Sequence, residues 1–202
     1  MDGDGLIPKH GGYRKLKCFQ LAQLCYDVTV RFCERYLDVR DRTYDQMVQA
    51  ARSGTRNISE GSEASGTSKK TELKLTNVAW ASLGELHDDY VDFLRHRGLA
   101  VWKENDPRRR EFVDRRCETV AEISEWVKIL HKRSRTNGGK EKYSELAANS
   151  TLVLIGVTRA LLNRLKQAQA KAFVDEGGFT ERLYKVRSKA RENPNDPNWR
   201  HP

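Results

Sequence analysis

The chain has 202 residues, 32% charged and 38% apolar, with a formal net charge of +9. That length suits one domain, or one domain with an appendage, and is enough to bury a core without disulfides or metal. No membrane span is expected: the longest uncharged run, Leu146 to Thr158, has 13 residues, and a span needs about 20.

The N-terminal MDGDGLIPKHGG holds no apolar stretch, so no secretory leader is expected and the cytoplasm is the expected compartment. Residues 1–13 read as a disordered N-terminus. From Arg14 to Val39, Phe19, Ala22, Tyr26, Cys33 and Tyr36 recur at helical spacing. Cys18, Cys25 and Cys33 share one face of that helix, and with Cys117 they read as reduced, small apolar residues. A second helix is predicted over 43–60, with Tyr44, Met47, Ala51, Gly54 and Ile58 on one stripe. Gly54 costs about 1 kcal/mol relative to alanine in a helix, which points to a close neighbour.

A third helix resumes at Lys69, with Ala79, Leu83, Leu86, Tyr90 and Phe93 inward, and stops at Gly98 after a basic last turn. Asp106-Pro107 opens a fourth, an N-cap followed by proline at the first position. Its stripe is Val113, Cys117, Val120, Ser124 and Val127, and it ends near Arg133. Residues 14–133 therefore predict an all-α, up-and-down four-helix bundle. A fifth helix over 142–176 is apolar around much of its girth between Leu152 and Leu162, so it must be covered on more than one side. With Trp80, Trp102 and Trp126, that apolar surface predicts self-association. After Gly177-Gly178 a short basic helix, 179–191, completes a helical suffix region over 140–191; the tail 192–202 reads as disordered.

The corner GSEASGTSKK (Gly61 to Lys70) echoes the phosphate loop G-x-x-x-x-G-K-[ST]. The residue after its second glycine is Thr67, Lys69 comes two places late, and a helix rather than a strand leads in. The stretch reads as a helix–helix corner, with Gly61 left-handed at the end of one helix and Ser68 or Thr67 capping the next. The Glu-x-x-His pairs of di-iron bundles, the Arg-x4–6-His of helical ribonucleases, H-E-x-x-H and G-x-S-x-G are all absent from the sequence. An acidic cluster, Glu85, Asp88, Asp89 and Asp92 around His87, is the one place for metal or general-base work; a solvated or ion-paired face is the plainer reading of it.

Charge is uneven. Residues 1–130 carry 22 Lys and Arg against 21 Asp and Glu, and residues 131–202 carry 15 against 7. A concentrated basic segment points to a polyanionic partner. Arg52, Arg56, Lys69, Lys70, Lys74, Arg182, Lys185 and Lys189 are the expected nucleic-acid contacts, with Arg14, Lys15, Lys17 and Arg108 to Arg110 as further candidates. They would touch phosphates rather than bases.

DQMVQAARSGTRNISEG (Asp45 to Gly61) and ELKLTNVAWASLGEL (Glu72 to Leu86) resemble the two signature stretches of the bacterial four-helix bundle family. That family includes the proteins of ribosomal RNA intervening sequences and the accessory variability determinant of diversity-generating retroelements. Asn57, Ile58, Glu60 and Gly61 match its N-I-A-E-G, with Ser59 in place of alanine. Ser82, Leu83, Glu85 and Leu86 match its S-L-x-E-L. The resemblance covers roughly residues 14–133; the remainder resembles the suffix region of one subgroup. It implies a homopentamer without enzymatic activity, and, for the retroelement member, binding to nucleic acid and a reverse transcriptase; no metal or cofactor is expected. The near-neutral body departs from the basic barrel of that member. The expected function is a non-enzymatic, homo-oligomeric scaffold or accessory protein that binds RNA or DNA, with a protein-partner module as the alternative and a metal-dependent hydrolase behind both.

Overall fold

A computed structural model describes Ile7 and residues 10–192. The disorder expected over 1–13 and 192–202 falls mostly outside them. Among the described residues the protein is all-α, without strands: a 3₁₀ turn (Tyr13–Lys15), then α1 (Lys17–Tyr36), α2 (Arg42–Ala64), α3 (Lys69–His96), α4 (Pro107–Arg115), α5 (Val120–Thr136), α6 (Tyr143–Glu176) and α7 (Phe179–Glu192).

Most helix ends follow from local chemistry. Asp41, Ser68, Asp106 and Thr119 each accept a backbone N–H of the following first turn, satisfying donors that no helical carbonyl reaches. Gly98 takes φ +62 and lets Leu99 N donate to Leu94 O at 2.9 Å, a Schellman closure. Gly177, φ +72, ends α6. Gly61 differs from expectation. It lies inside α2, with a Cβ there 3.3 Å from Glu72 O and Leu75 Cβ, so it serves close packing and not chain reversal.

The helix expected over 106–133 is two helices. Arg116 adopts a left-handed conformation (φ 50), and α5 restarts at Thr119, whose Oγ1 accepts from Glu122 N while Glu122 Oε2 accepts from Glu118 N at 2.7 Å. The reciprocal bonds resemble a capping box. Consequently Val113 and Ser124 are exposed, and Phe112, Ile123, Trp126 and Leu130 are buried in their place.

The core is walled by α1, α2, α3 and α6, which pack in a closed cycle: α1 and α3 each lie against both α2 and α6. Neighbours run antiparallel. Thr55 Oγ1 donates to Ala22 O while Cys33 meets Met47 at the other end of α1. Lys166 reaches Asn77 and Gln169 reaches Glu72 where α6 descends along α3. Thus α6, and not the 106–133 segment, is the fourth wall, and α4 and α5 pack on its outer side. The reason is the girth of α6: Leu146, Leu152, Leu154, Ile155 and Leu162 are buried on several sides. An 18-residue window of this helix is apolar enough to cross a membrane, with mean hydropathy 1.3, and 67% of it is buried inside the protein.

The link from α3 to α4 is pinned to α6. Asn149 Oδ1 accepts from Trp102 N at 2.7 Å, and Asn149 Nδ2 donates to Ala100 O at 2.8 Å. Glu145 Oε1 accepts from Ala100 N. Trp102 and Trp126 are buried and Trp80 is half-buried. The apolar surface from which self-association was expected is therefore largely used within one protomer.

Candidate functional site

Basic residues matter for a polyanion only where acids leave them free. The eight expected contacts fall into three groups. Arg52 and Arg56 are exposed one turn apart on α2. Lys70 and Lys74 are exposed one turn apart on α3, but Lys69 beside them is only 20% exposed and pairs with Glu176 at 3.1 Å, tying the start of α3 to the end of α6. Lys185 and Lys189 are exposed on α7 and Arg182 is half-buried; α7 makes no extensive contact with any other helix. Of the further candidates, Lys17 pairs with Glu118 at 2.7 Å. Arg108 is held by Asp106 and Glu141 and stacks 4.6 Å over the Trp102 ring. The Arg108 guanidinium holds the Asp106 carboxyl below the usual carboxylate range.

Arg52 and Arg56 share a cavity of about 430 Å³ with Arg14. It lies between α2 and the start of α1. Its floor is Thr55 and Ser59, both buried, and its α1 wall is Phe19, Gln23 and Tyr26. Among the described residues no carboxylate lines it. Arg52 and Arg56 have no acidic partner among the described residues, and Arg14 lies 4.8 Å over the Tyr13 ring. Three permanent cations on one groove, with no counter-charge among the described residues, set up a local positive potential that attracts an anion. Sequence reading placed Arg52 and Arg56 here but missed the aromatic wall. Tyr26 packs on the core, as its period implies, and is half-buried where it lines the groove. The adjacent Tyr13-Arg14 pair was the available signal.

A second cavity, about 580 Å³, lies among α1, α5 and α6, with Arg31, Arg35 and Lys128 on its edge. Here Arg31 pairs with Glu34 and Lys128 with Glu125, so its field is weaker.

The acidic cluster is dispersed. Asp92 pairs with Arg95 at 2.8 Å and His87 with Asp88 at 3.2 Å. Burial, then Asp92, Glu85 and Asp88, push the Asp89 carboxyl up. Among the described residues no three His, Cys, Asp or Glu side chains are grouped to hold a metal. The cysteines are free and buried, and burial pushes the Cys25 and Cys33 thiols up to about 12, so neither is a thiolate nucleophile at neutral pH.

No protein-family model, curated protein or solved structure matches this chain.

Proposed function

We propose that the protein is a non-enzymatic, cytoplasmic helical scaffold that binds nucleic acid through Lys and Arg contacts to phosphate. Its body would be a four-helix bundle made by α1, α2, α3 and α6. The observation that carries the reading is the groove where Arg14, Arg52 and Arg56 converge without a carboxylate among the described residues. Lys70, Lys74, Lys185 and Lys189 extend the exposed positive charge beyond it. Such contacts are sequence-tolerant and salt-dependent, because each neutralised phosphate releases counterions.

The test is a titration of labelled RNA and DNA at 50 and 200 mM salt. Binding is expected at low salt and should fall steeply at high salt. Arg52→Gln with Arg56→Gln should weaken it and flatten the salt slope by about 2. No binding at 50 mM salt overturns the proposal.

Self-assembly, with five copies as the resemblance implies, belongs to the same proposal and is decided by a solution mass. Exposed Phe173, Val174 and Tyr184, near or on α7, offer apolar surface for it. They also favour a second reading, a protein-partner module in which α7 meets an acidic protein such as a reverse transcriptase. Loss of a captured partner on deleting residues 179–202, with nucleic-acid binding absent, would select that reading.

A further inference from the structure

The groove at the start of α1 holds more than positive charge. Tyr26 is half-buried in its wall, and among the described residues its ring stacks on no aromatic or cationic side chain and its hydroxyl has no hydrogen-bond partner. The other large rings of the protein are mostly engaged. Tyr13 lies edge-on to Phe19 at 4.8 Å, Phe32 packs on Tyr90 and Phe93, and Trp80 lies beneath Arg159 at 4.0 Å. Across the groove from Tyr26 stand Arg52 and Arg56, with Thr55 and Ser59 between them on the floor. A half-buried aromatic ring lining a cavity with two arginines that have no acidic partner among the described residues matches a nucleotide in both its parts. A base stacks on the ring, and its phosphates meet the guanidinium groups.

The dimensions select the form of the ligand. The cavity of about 430 Å³ falls within the roughly 300–1,000 Å³ of small-ligand pockets, which suits one nucleotide. A duplex keeps its bases paired and stacked inside, so it can offer the arginines its phosphates but cannot offer Tyr26 a base. In a single strand the bases are free to turn outward. We infer that this groove takes one unpaired nucleotide of a single-stranded nucleic acid, its base on Tyr26 and its flanking phosphates on Arg52 and Arg56. The inference rests on the nucleic-acid reading and narrows it. RNA and DNA share the chemistry used, so both are tested.

The experiment compares the full-length protein and its Y26A, Y26F and R52Q/R56Q variants by fluorescence anisotropy. The probes are mixed-sequence 20-mers of RNA and DNA, each as a single strand and as a duplex. Wild type should bind single strands about tenfold or more tighter than duplexes, the size of one base stack. Y26A should lose that advantage and leave duplex binding unchanged. Y26F, which keeps the ring, should behave as wild type, and R52Q/R56Q should weaken both forms. Because Tyr26 also packs on the core, a second measurement uses wild type alone: a single strand bearing 5-iodouracil, irradiated in the complex, should crosslink to the peptide containing Tyr26. Equal affinity for single strands and duplexes, a Y26A variant that binds as wild type, or crosslinks only elsewhere would overturn the inference and leave phosphate binding standing. No binding of any oligonucleotide at low salt would overturn both.

Discussion

Gly54 lies in the α2–α3 interface, against Leu83. A Cβ there would fall 2.8 Å from Leu83 Cδ2 and 2.9 Å from Leu83 Cγ, and Leu83 is fully buried. One turn toward the start of α2 are Ala50 and Ala51, both buried, and Ser53 and Ser82 share a hydrogen bond of 3.0 Å across the same interface. Gly54→Ala gains about 1 kcal/mol of helix propensity, but it forces Leu83 out of a filled core, which costs about 1–3 kcal/mol. We expect a net loss and a lower Tm in a thermal melt; a Tm at or above wild type would show that Leu83 has room to move. This packing role was legible in the sequence because glycine inside a helix is costly enough to need a reason. The role of Gly61 was not. A glycine followed by Gly, Ser and Thr reads as a helix end, and only the position of α3 shows that the helix continues past it.

At the scale of elements, sequence and structure agree wherever the signal is local. Ser68, Asp106-Pro107 and Gly98 mark their boundaries because a cap depends on the few residues around it. The break at 116–119 was hidden by period, since Cys117 and Val120 prolong an apolar stripe across it. The Thr119–Glu122 spacing was the mark that gave it away. Which helices become neighbours is a tertiary matter, and here period says little. The loop between α3 and α4 shows how long-range contacts set that choice. Asn149 satisfies both Trp102 N–H and Ala100 C=O from a position 1% exposed. Asn149→Ala would leave the buried Trp102 N–H unpaired, with Ala100 C=O at an exposed residue where water reaches it, a loss of about 1–3 kcal/mol. The check is a urea titration together with hydrogen exchange at the Trp102 amide, which should lose its protection. An unchanged midpoint would mean that water replaces the side chain.

Across the whole molecule, the groove and α7 are separable. α7 follows Gly177 and makes no extensive contact with another helix, so a chain ending at Gly178 should melt at the temperature of the full protein. A chain ending at Gly138 lacks α6 and, with it, one side of the cycle. That shorter chain should show no cooperative transition; a sharp melt would show that the first five helices stand alone. The site was half legible for a similar reason. Arg52 and Arg56 are neighbours in sequence, but Arg14 and Tyr26 join them only when α1 lies along α2.

The place of α6 in the chain also bears on how the protein is made. Its partners α1 and α3 leave the ribosome well before it does; even α3, the later of the two, is separated from it by the intervening 46 residues, 97–142. Until residues near Thr158 emerge, Cys25, Thr29 and Tyr90 have no covering helix; in the finished fold Cys25 faces Thr158, and Tyr90 donates to Thr29 at 3.2 Å. Pairings this distant in sequence are slow to close, and surfaces waiting for them are exposed to aggregation. The nascent chain thus carries an open, three-walled core until the last of its four walls is made.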